Sequence, residues 1–156
     1  MNTKRYSSAL AVLVAAALAA GCGTLNRSSY GSRAASSGVG EVVPLSGAQE
    51  VPPTTSNASG TATVDVRADC SVTAKVTVTG MNATGAHIHY AAPGANGEVI
   101  LPFTKTGENS FAAPPGAKFD EAQCAAYRKG DTYVNVHSGP HPGGELRAQL
   151  KGIPAG

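Results

Sequence analysis

All four histidines of this chain fall in two short clusters, Ala86-His87-Ile88-His89 and Val136-His137-Ser138-Gly139-Pro140-His141. Imidazole is the commonest protein ligand for zinc, copper, iron and nickel, and four of them nearly fill a first coordination shell. The clustering predicts a metal ion held by His87, His89, His137 and His141. No Cys-x-x-Cys pair and no His-Glu-x-x-His motif is present, and Met1 and Met81 are the only methionines. A zinc finger, a zincin and a methionine-rich copper(I) carrier are therefore poor fits. An all-nitrogen set without thiolate suits copper first and zinc second.

Strands must position these ligands, because period-2 alternation dominates the sequence. Ala62, Val64 and Val66 alternate with polar residues, and so do Val72, Ala74, Val76 and Val78, with Ala68-Asp69-Cys70 between the two runs as a hairpin turn. Further strands are predicted at Val99–Phe103, Tyr133–His137 and Glu145–Leu150. One helix is expected. Asp120 caps it with Gln123 three residues on, Phe119 precedes it, and Gly130 follows the basic pair Arg128-Lys129. With nineteen glycines and ten prolines in the chain, the expected fold is all-β. It is an antiparallel β-sandwich or Greek-key barrel with one short helix.

Alternation also assigns faces. His87 and His89 share one face of their strand and Ile88 takes the other. Tyr133, Asn135 and His137 oppose Val134 and Val136, while Glu145, Arg147 and Gln149 oppose Leu146, Ala148 and Leu150. Exposing the apolar faces would forfeit about 1.5–3 kcal/mol per large side chain. The apolar faces are thus expected inside and the histidines on the outer face. Asn135, Glu145 and Gln149 are placed to orient the imidazoles, and loops at Gly139 and Gly143-Gly144 could return His141 over them.

Lys4 and Arg5 precede the apolar run from Ala9 to Ala20, the pattern of a secretory signal. Leu18-Ala19-Ala20-Gly21-Cys22 resembles a bacterial lipobox, with Cys22 as the lipidated first residue. By the same resemblance, Gly23 favours the outer membrane. The expected organisation is a signal at 1–21, a lipidated cysteine and polar tether at 22–40, and one β domain at 41–156. Cys70 and Cys124 then remain as an even pair in an oxidising compartment, which predicts a disulfide. Without Lys4 and Arg5 the chain carries ten basic and ten acidic residues. With no basic cluster, nucleic acid is not an expected partner. The membrane is met through the lipid anchor alone.

Longer motifs carry a family resemblance. Leu45-Ser46-Gly47-Ala48-Gln49-Glu50-Val51-Pro52-Pro53 is followed by Gly85-Ala86-His87-Ile88-His89 with Asn96-Gly97, and then by Tyr133–His137 with His141-Pro142-Gly143-Gly144-Glu145-Leu146-Arg147-Ala148-Gln149-Leu150. In that order they resemble the CHRD domain, named after chordin and widespread in bacterial secreted proteins. The resemblance implies extracellular β-structure and assigns no definite activity. More loosely, Gly85–His89 is similar to the copper-ligand strand of copper–zinc superoxide dismutases. Those enzymes place copper outside a β-barrel, beside an arginine and with an intradomain disulfide. That likeness would make Arg147 a guide for superoxide at a copper-only site, since the zinc ligands and bridging histidine are absent.

Three functions fit these residues. The first is a copper-binding, dismutase-like lipoprotein of the cell envelope with His87, His89, His137 and His141 as ligands and Arg147 as the catalytic guide. The second is copper buffering or delivery on the same ligands without turnover. The third is a non-catalytic adhesion or partner-binding module in which the histidines merely support loops.

Overall fold

The computed structural model describes residues 40–152. The expected signal peptide, the lipidated Cys22 and almost all of the tether lie outside the described residues. Among those described, no helix is long and apolar enough to cross a membrane.

The alternating runs form strands, as their pattern requires. β1 is Glu41–Ser46, β2 is Ser59–Val66, β3 is Val72–Thr79 and β4 is Ala83–Tyr90. β5 (Glu98–Pro102), β6 (Thr104–Gly107) and β7 (Ser110–Ala112) are shorter. The helix α1 (Glu121–Lys129) precedes β8 (Thr132–Ser138) and β9 (Leu146–Gln149). Among the described residues all strand pairings are antiparallel, in one nine-stranded sheet of order β5-β4-β8-β9-β1-β2-β3-β7-β6. Its two end strands, β5 and β6, are separated in the chain by Phe103 alone. The sheet therefore curls towards closure, and the barrel-like form of the expected fold class is the one present.

The inward faces build one core. Val64, Val76, Ile88, Val134, Val136 and Leu146 are all buried in it. Their alternation along β2, β3, β4 and β8 is the one legible in the sequence. β1, β6 and β7 had no such signal. Every residue of β6 is exposed, so its composition carries no period.

The helix forms where its caps predict. The Asp120 carboxylate accepts from Gln123 N at 2.8 Å, and the Gln123 amide oxygen accepts from Asp120 N at 3.1 Å. Gly130 ends α1 at φ 80°, a left-handed turn that glycine adopts without cost. Phe119, Cys124 and Tyr127 turn into the core. Cys124 is joined to Cys70 at the β2–β3 turn by a disulfide with Cα atoms 5.8 Å apart.

Candidate metal centre

β4 and β8 lie side by side, and their register decides which histidines meet. His87 is opposite Asn135, His89 is opposite Tyr133, and His137 is opposite Gly85. Gly85 places no side chain across from His137, so the His87 ring can fold back over it. An added Cβ there would lie 3.7 Å from His87 Cε1. His87 Nδ1 consequently comes within 3.0 Å of His137 Nε2. One nitrogen from each of His87, His89 and His137 lies within 4.8 Å of the others. Three imidazoles thus converge on one volume and could hold a metal ion.

Backbone carbonyls fix how two of these rings present themselves. His89 Nδ1 lies 3.0 Å from Gly97 O, and His137 Nδ1 lies 3.0 Å from Pro142 O. A carbonyl only accepts, so each Nδ1 carries the proton and each neutral ring keeps its lone pair on Nε2. Both Nε2 atoms point to the centre of the cluster, where Asn135 Oδ1 stands 2.8 Å from His89 and 2.9 Å from His137. Metal-bound histidines characteristically donate their second ring N–H to an acceptor such as the Gly97 and Pro142 carbonyls provide here. Burial lowers the His87 pKa to about 4, helped by His137 and His89. Burial also lowers that of His137. His87 and His137 are thereby held towards the neutral, ligating form.

The polar face is not open to solvent as the alternation suggested. The segment 91–97 folds across it, and Gly97 approaches the Tyr90 carbonyl too closely to admit a side chain. His89 is only 8 % exposed. Its ring stacks on Tyr133, with centroids 4.8 Å apart and planes at 7°. The Arg147 guanidinium lies 3.5 Å from the centroid of the same Tyr133 ring. His89 comes from β4 and Arg147 from β9, the two strands flanking β8, so the tyrosine separates them.

Comparison with known families finds a match to the CHRD domain over residues 42–150. The chain belongs to the CHRD domain family. No curated protein and no solved structure matches it.

This CHRD domain rearranges the residues expected at its site. His141, expected as a fourth ligand, is outside the three-histidine group. It lines a separate cleft of about 510 Å³ with Glu50, Asn96, Pro52, Pro140 and Pro142. The physical reason is the loop between β8 and β9. Ser138 N and Gly144 N both donate to His141 O, which holds that residue in the turn, while Pro142 supplies the carbonyl for His137. Arg147, expected on an exposed face as a steering charge, is 1 % exposed. Its guanidinium donates to Asn96 Oδ1, Ala95 O and Gln149 Oε1 beneath the 91–97 segment. A cation so covered and so engaged cannot guide an anion from solvent.

Of the residues expected to orient imidazoles, Asn135 alone reaches them. Glu145 instead accepts from Ser56 Oγ at 2.6 Å and from Ser138 Oγ, which braces the β8–β9 loop. Burial pushes its carboxyl up, but those hydroxyl bonds outweigh it and leave the pKa lowered. Gln149 donates to the Ala91, Gly130 and Thr132 carbonyls. The carbonyls of Gly97 and Pro142 were not foreseen, since every residue has one. The Asn96-Gly97 pair was the available signal, because glycine beside asparagine marks a tight approach. Glu50 was also missed as a buried acid.

Proposed function

We propose that this CHRD domain is a copper(II)-binding module, with His87, His89 and His137 as its nitrogen ligands. The observation that supports it is the convergence of two carbonyl-fixed Nε2 lone pairs, with His87 Nδ1, on one point. Histidines that only supported loops would have no reason to turn three ring nitrogens towards one volume. Among first-row divalent ions a neutral nitrogen set binds copper(II) most tightly, with zinc the next candidate.

Capture of the ion fits better than superoxide turnover. Electrostatic guidance requires a cation facing the approaching anion, and Arg147 is stacked on Tyr133 inside the domain. With a lipidated Cys22, the role is copper buffering or delivery at the envelope membrane.

Copper(II) titration of the full chain, followed by electron paramagnetic resonance, tests the reading. One tetragonal, nitrogen-ligated copper per chain is expected. The His87→Ala/His89→Ala double variant should lose it, and His141→Ala should keep it. Unchanged affinity in the double variant would refute the assignment.

A further inference from the structure

We infer that Asn135 is itself a metal ligand, its side-chain oxygen completing a three-nitrogen, one-oxygen set. The inference rests on the copper-site reading above and goes beyond it by assigning the fourth donor.

The spacing carries the argument. Metal–imidazole bonds of about 2.0–2.1 Å place donors at right angles about 2.9 Å apart. Going round the cluster, His87 Nδ1 to His137 Nε2 is 3.0 Å, His137 Nε2 to Asn135 Oδ1 is 2.9 Å, and Asn135 Oδ1 to His89 Nε2 is 2.8 Å. Each of the three separations matches the spacing of adjacent donors in such a set. His87 and His89 stand at the two ends of this row of donors, within the 4.8 Å that bounds the histidine group.

Electrostatics points the same way. The Gly97 and Pro142 carbonyls hold the ring protons of His89 and His137 on Nδ1. The two neutral rings therefore aim lone pairs at Asn135 Oδ1, which is itself an acceptor. Three acceptors facing one another repel, and a cation among them turns that repulsion into attraction. Asn135 is buried on β8, where an amide oxygen without a partner would be costly. A neutral oxygen also favours a divalent ion over copper(I), which selects softer donors.

The test is copper(II) titration and electron paramagnetic resonance of the full chain as wild type, Asn135→Leu and Asn135→Asp. Asn135→Leu should weaken copper(II) binding about 10–100-fold and change the hyperfine pattern. Asn135→Asp should restore an oxygen donor, bind at least as tightly as wild type, and shift the spectrum as an anionic ligand enters. Wild-type affinity and spectrum in Asn135→Leu would overturn the inference and leave the three-histidine site standing. Should the leucine variant fail to fold, Asn135→Asp decides alone, and a spectrum identical to wild type would overturn the assignment. No copper bound by wild type would overturn the copper site and this inference together.

Discussion

His87 Nδ1 and His137 Nε2 face each other at 3.0 Å across β4 and β8. Two lone pairs cannot rest so close, so either one nitrogen carries a proton or both share a cation. A bound ion therefore stabilises the folded chain selectively, because the unfolded chain does not bring residues 87 and 137 together. At a copper(II) concentration one hundred times the dissociation constant, the gain should be about 2.7 kcal/mol. Thermal unfolding with and without copper checks this, and His141→Ala should show the full gain. Loss of the gain in that variant would return His141 to the ligand set.

Glu50 gives a pH signature separate from the metal. It is 5 % exposed, and its Oε1 has no hydrogen-bond partner among the described residues. Burial raises its pKa above 4.5, against the pull of Arg147. An unfolded chain releases this proton near pH 4.5, while the folded chain still holds it. Folding is thus progressively opposed as pH rises from 4.5 through the raised value. Glu50→Gln should be more stable than wild type at pH 7, and the difference should shrink towards pH 4. Denaturant melts at the two pH values would show it, and parallel curves would contradict the sign.

Arg147 is a structural cation, and lysine should not replace it. Its fork serves three acceptors and its plane covers Tyr133, geometry that an ammonium cannot reproduce. Arg147→Met should cost about 1–3 kcal/mol, since it strips three part-buried acceptors of their donor. Arg147→Lys should recover only part of that loss. A steering residue would behave oppositely, with lysine nearly neutral. Urea melts of the two variants separate these roles.

The Cys70–Cys124 disulfide spans 54 residues, and a loop of that length implies about 4 kcal/mol in the chain-entropy model. The Cys70→Ser/Cys124→Ser variant should lose stability of that order. Mass spectrometry of wild type under non-reducing conditions should show no free thiol at either position.

Periodicity was enough to read the core and the ligand strands. Ile88 between two histidines, and Val134 and Val136 between polar residues, allow only one assignment of faces. The helix was legible for a different reason, because Asp120, Gln123 and Gly130 act through local backbone geometry. What lay over the sheet was not legible. Alternation separates the two faces of a strand but does not say whether a distant segment covers the outer one. Arg147 therefore read as exposed until the 91–97 segment was seen above it. His141 misled for a related reason, as a loop residue has no fixed face and its neighbour Pro142 makes the contact with His137.

Phe103, the single residue between β5 and β6, has a consequence for self-association. A β-rich chain risks recruiting neighbours along any long, unpaired strand edge. Here the two ends of the sheet are five and four residues long and lie back to back in the chain. Phe103 N donates to Ala86 O, and the Lys105 ammonium donates to Ala83 O, so the turn between them is tied down onto β4. Backbone that could template aggregation is thus occupied by the chain's own continuity. An insertion at Phe103 would separate the ends and free the edge of β4 at Ala83 and Ala86, so that self-association would begin beside His87.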